Sequence, residues 1–141
     1  MKDLDVTLRD QIDALFIESK AKFDTGERTQ AIQFAEIAWA KLPEPKFNWD
    51  VSKSFVHALV KTYRGTGHYE KALNLMHDLF ASGTVKPYQD GPCFVYGTVY
   101  FEQGDMGSAY KWFHDANQIS KGRCFRNQPE KYLKFYKTYK Q

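Results

Sequence analysis

Four histidines (His57, His68, His77 and His114) and two cysteines (Cys93 and Cys124) are the residues of this 141-residue sequence best suited to metal binding or nucleophilic attack. Their spacing argues against both. No two histidines stand four residues apart, and neither cysteine has a Cys-x-x-Cys partner, so the ligand clusters that zinc needs are missing. No nucleophile motif surrounds either cysteine. Cys93 reads as a buried structural thiol. Gly65 and Gly67 form a turn and not a phosphate cradle, and the scattered carboxylates read as solvated helix faces. No catalytic site, metal or cofactor is expected. The chemistry that remains belongs to surfaces: 16% of the residues are aromatic (11 Phe, 9 Tyr, 3 Trp) and 20 are Lys or Arg.

These side chains must be held by a core, and the chain is long enough for one domain that buries most of its apolar surface. At 43% hydrophobic and 26% charged, with a net charge of +3, the composition is that of a folded soluble protein. No run of eighteen apolar residues exists to span a membrane. The polar start, Met1-Lys2-Asp3-Leu4-Asp5, lacks the apolar heart of a signal peptide. Two cysteines make no disulfide framework. A reduced, cytoplasmic protein is the expectation.

Gly and Pro punctuate the chain into helices. Residues 7–23 place Ile12, Leu15, Phe16, Ser19 and Phe23 on one face. Gly26 breaks that period, and 28–42 resume it with Ala31, Ile32, Phe34, Ala35, Ala38, Trp39 and Leu42 before Pro43 and Pro45. Asp50 is a candidate N-cap for a third helix running to Gly65. Residues 69–82 form a fourth, stopped by Gly83. The segment 93–101 is ambiguous, because its β-branched and aromatic residues also suit a strand.

A repeat resolves that segment. Gly26-Glu27-Arg28-Thr29-Gln30-Ala31, Gly67-His68-Tyr69-Glu70-Lys71-Ala72 and Gly104-Asp105-Met106-Gly107-Ser108-Ala109 share a Gly turn with Ala five residues later. Tyr63 and Tyr100 stand nine residues before the second and third Ala, and Ala38, Leu79 and Ala116 seven after each. The pattern resembles the tetratricopeptide repeat, a helix–turn–helix unit of about 34 residues. The resemblance implies an all-α fold of three such repeats (about 10–43, 53–84 and 90–121) in a short right-handed superhelix, with 92–103 helical. A C-terminal capping helix over 128–141 completes a single domain, begun by Pro129 and capped by Asn127 or Gln128. Its aromatic face is Tyr132, Phe135, Tyr136 and Tyr139, opposite Lys131, Lys134, Lys137 and Lys140. The spacing between repeats exceeds the family's, and the extra residues fall in 43–52 and 83–91, read as surface loops.

In this family the first helix of each pair lines a concave groove at positions 2, 5, 9 and 12. The resemblance therefore maps the groove to Asp13, Phe16, Lys20 and Phe23 in repeat one, to Ser54, His57, Lys61 and Arg64 in repeat two, and to Gly91, Phe94, Thr98 and Phe101 in repeat three. Phe16, Lys20, Ser54, His57, Lys61, Arg64, Phe94, Thr98 and Phe101 are the candidate partner-binding residues. Aromatics beside cations are common anchors for protein partners. The competing reading makes Phe16, Phe94 and Phe101 core, with the last helix folded into the groove. Phe16 stands where a groove Lys is usual, which disfavours capture of a C-terminal carboxylate.

Charge is uneven along the chain. Residues 121–141 carry seven basic residues and one acid, a local +6, and residues 1–120 carry thirteen basic and sixteen acidic, a local −3. A solvated helix face explains the basic end better than nucleic-acid binding does. The implied function is a module that binds one protein partner. The C-terminal run Gly122-Arg123-Cys124-Phe125 and Pro129–Lys137 resembles the ends of small bacterial repeat proteins of toxin–immunity systems, which implies an immunity protein bound to a cognate toxin domain. The alternative is a secretion chaperone or adaptor gripping an extended segment of a secreted effector, and an enzyme or RNA-binding protein stands behind both.

Overall fold

The computed structural model describes residues 1–140 and is all-α: seven helices and two short 3-10 turns, with no strand among the described residues. It comprises two compact units, Met1–Thr84 and the chain from Val85 onward. The first holds α1 (Val6–Asp24), α2 (Arg28–Lys41), a 3-10 turn (Lys46–Asn48), α3 (Ser52–Gly65) and α4 (Tyr69–Ala81). The second holds α5 (Asp90–Gln103), α6 (Met106–Ser120), a 3-10 turn (Arg123–Phe125) and α7 (Glu130–Thr138).

Helices pack as hairpins, α1 with α2, α3 with α4 and α5 with α6. The glycine of each recurring phrase turns its hairpin at positive φ, +81° at Gly26 and Gly67 and +97° at Gly104, where a Cβ would be strained. The alanine five residues later is fully buried in all three cases. On α2 the row Ala31, Ala35 and Ala38 lets α1 approach closely enough for the Ser19 hydroxyl to donate to the Ala31 carbonyl at 2.7 Å. Ile12, Ala38, Leu42 and Phe55 form one core cluster of the first unit, joined by Leu4 from the N-terminal segment.

Asp50 does not cap α3. Its Oδ1 accepts from the Leu4 amide at 3.2 Å, while its own amide donates to the Lys2 carbonyl at 2.9 Å. These bonds clip the N-terminal segment to the loop before α3 and hold Leu4 in the core, and Val51 occupies the N-cap position without a side-chain bond.

In the second unit the strand-like composition of 93–101 is overridden by packing. Gly97 faces Phe113 so closely that a Cβ there would lie 2.6 Å from the ring, so only a glycine lets α5 and α6 meet at this depth. Helix α7 then lays its aromatic face on the pair. Tyr132 is buried, and the Lys131 ammonium pairs with Glu102 at 2.6 Å. His114 Nδ1 and the Tyr136 hydroxyl share a hydrogen bond of 2.7 Å. α7 starts at Glu130, with Pro129 at the N-cap position, so neither Asn127 nor Gln128 caps it. The expected cap extended to Gln141, which lies outside the described residues.

Candidate functional site

In the first unit α1 and α3 diverge enough to leave an open cavity of about 660 Å³. Helical spacing sets its walls. Asp13, Phe16, Ile17, Lys20, Phe23 and Asp24 come from one side of α1, and Ala58, Lys61, Thr62, Arg64 and Gly65 come from one side of α3. At one side the Phe16 ring rests on buried Phe55, centroids 5.4 Å apart. Elsewhere the two helices close on each other through Phe23 and Gly65, where a Cβ on residue 65 would come within 2.6 Å of the Phe23 ring.

The cavity is apolar on its inner surface and charged at its edge. Ile17 is 70% exposed and Phe23 37%, large apolar groups left in water although cores lie close by. The Lys20 ammonium is held by Asp24, one turn on, at 2.9 Å. Lys61 is exposed and makes no ion pair among the described residues. α3 carries Lys53, Lys61 and Arg64 and no acidic residue, whereas α1 contributes Asp13 and Asp24 to the cavity, so the two walls differ in charge.

Four of the nine candidate residues, Phe16, Lys20, Lys61 and Arg64, are thus brought together, and so are Asp13 and Phe23, the other α1 positions mapped to the groove. Ser54 and His57 lie on α3 outside this cavity. Ser54 is exposed. His57 is largely buried, and its Nε2 has no hydrogen-bond partner. Burial, assisted by the charge of Lys53, pushes its pKa down from 6.5 to about 4, so the ring is neutral at physiological pH.

Phe94, Thr98 and Phe101 do not line an open surface. Phe94 is 5% exposed, ringed by Phe113, Phe125 and Tyr132 at 5.3, 5.5 and 5.9 Å. Thr98 is 1% exposed, and its hydroxyl donates to the Val95 carbonyl within α5. Phe101 is half-buried under Tyr132 and Phe135, at 5.3 and 5.2 Å. For the two phenylalanines the reason includes α7, whose Tyr132 meets Phe94 and whose Tyr132 and Phe135 meet Phe101, while Tyr136 and Tyr139 settle on Tyr110 of α6. The core reading thus fits Phe94, Phe101 is covered only in part, and Thr98, which that reading did not name, is buried as well.

Ile17, Asp24, Ala58, Thr62 and Gly65 were not among the candidates. Ile17 had a signal: it is a large aliphatic residue outside the stripe that α1 turns to the core. Gly65 had none, because a glycine at a helix end reads as a stop. The cysteines stay chemically quiet. Burial, with Asp115 adding to it, pushes the Cys93 thiol up to about 11, and burial raises Cys124 as well, so both are thiols and not thiolates at neutral pH. No helix among the described residues is long and apolar enough to cross a membrane. No protein-family model matches the sequence, and no curated protein matches it.

Proposed function

We propose that this chain is a protein-interaction module that binds one protein partner by taking a segment of it into the cavity between α1 and α3. The observation that carries the reading is the exposure of Ile17 and Phe23 in a concavity rimmed by Lys61 and Arg64. Exposed apolar groups in a cleft with cations at its edge give buried anchor area and orientation together. The tetratricopeptide-like reading supports the same face, because the four α1 positions that it assigns to the groove all line the cavity. A toxin domain neutralised by this chain and a secreted effector held by it are the two partner classes. The cavity favours any partner that presents a protruding segment over one that offers a flat face.

Affinity purification of the tagged chain from its native host, followed by mass spectrometry, tests this. One protein should co-purify at one-to-one stoichiometry and be lost with Ile17→Asp, a variant that keeps its helical circular dichroism because the position is exposed. Equal recovery of the same proteins by parent and variant would overturn the assignment.

A further inference from the structure

The cavity also specifies what the segment looks like. This step rests on the partner-binding reading above. We infer that the occupant carries an acidic side chain within about one helical turn of a bulky apolar one, with the apolar group between Phe16, Ile17 and Phe23 and the carboxylate on the α3 wall.

Three observations lead there. The first is volume: an open cleft of about 660 Å³ has room for whole side chains. The second is the charge of the two walls. On α1 the Lys20–Asp24 pair at 2.9 Å is internally neutral, which leaves exposed Asp13 as the one net charge of that wall, an acid. On α3 no acid stands anywhere along the helix, and Lys61 reaches the cavity with no ion-pair partner among the described residues. The lining as a whole holds three cations and two acids, so an occupant that brings a carboxylate to Lys61 balances it, and a cation desolvated without a counter-charge is costly. The third is the position of the apolar groups. Phe16, Ile17 and Phe23 are all on α1, across the cavity from Lys61, so the apolar and acidic groups of the occupant face opposite walls.

The same charge logic removes one occupant. The basic helix α7 of a second copy would present Lys134 and Lys137, like charges, to the α3 wall.

The test pans a phage-displayed library of random 12-residue peptides on the full chain, followed by titration of synthetic versions with blocked ends. Enriched peptides should combine Phe, Trp, Leu or Met with Asp or Glu no more than four positions away. Ile17→Asp should abolish their binding, and Lys61→Glu should weaken it at least tenfold and shift enrichment toward basic peptides. Binding should also fall as salt rises. Blocked ends ensure that the carboxylate read is a side chain and not a chain terminus. Peptides that are lost with Ile17→Asp but lack acidic residues, or are indifferent to Lys61→Glu, would overturn this inference and leave the binding face standing. Peptides indifferent to Ile17→Asp, an absence of enriched peptides, or self-association blocked by Ile17→Asp would overturn both.

Discussion

Gly97 and Gly65 pose the same steric problem with opposite outcomes. An added methyl would lie 2.6 Å from a phenylalanine ring at either position, Phe113 for Gly97 and Phe23 for Gly65. Phe113 is fully buried, with Phe94, Phe125, Tyr132 and Phe135 at 5.3 to 6.2 Å, so it has nowhere to go. Overpacking of this kind costs about 1–3 kcal/mol, and removing a mid-helix glycine returns up to about 1 kcal/mol. Gly97→Ala should therefore destabilise by about 1–2 kcal/mol. Phe23 is partly exposed and can swing outward, so Gly65→Ala should change stability by no more than about 0.5 kcal/mol. Urea unfolding followed by circular dichroism reads the difference. With a slope of about 1–3 kcal/mol per molar, the midpoint should fall clearly for Gly97→Ala and barely move for Gly65→Ala. Equal midpoints, or a Gly97→Ala variant as stable as the parent, would refute the claim that α5 and α6 are locked at this point. Because Phe23 is a cavity wall, Gly65→Ala should still weaken partner binding several-fold.

Three further outcomes follow from the same structure. His57 is neutral in the fold with its pKa lowered to about 4, whereas the unfolded chain takes up a proton below about 6.5. Stability is therefore lost as pH falls from 6.5 toward 4, by about 3 kcal/mol in all, and His57→Leu should remove that part of the slope in urea midpoints measured across this range. Tyr132→Ala should cost about 3–5 kcal/mol by opening the aromatic core beneath α7, read as a lowered urea midpoint with faster hydrogen exchange in α5 and α6. Asp50→Ala should loosen the N-terminal segment at a cost of about 1 kcal/mol, visible as reduced amide protection at Leu4 while the backbone bonds of Lys2 persist.

The helices were legible because Gly and Pro mark their ends and the Gly-to-Ala phrase marks their turns. Without that phrase, 93–101 reads as a strand, since local propensity knows nothing of Phe113 waiting opposite Gly97. Part of the site was legible through the resemblance, whose groove positions pick out Phe16 and Lys20 on α1 and Lys61 and Arg64 on α3. Phe94, Thr98 and Phe101 come from the same mapping, and yet Phe94 and Thr98 are buried and Phe101 is half-covered by α7. Whether a helix face is open depends on where α7 folds, and periodicity within α5 carries no trace of that. Asp50 illustrates the reverse case. Its type and position suit an N-cap, but a segment 46 residues earlier competes for its carboxylate and wins.

The central claim is that the face between α1 and α3 receives the partner. An amide chemical-shift map of the full chain, titrated with the co-purified partner, addresses it directly. Shifts should concentrate in residues 13–24 and 58–65, with α5, α6 and α7 unmoved. Shifts confined to residues 82–89 or to α7, with α1 and α3 silent, would contradict it.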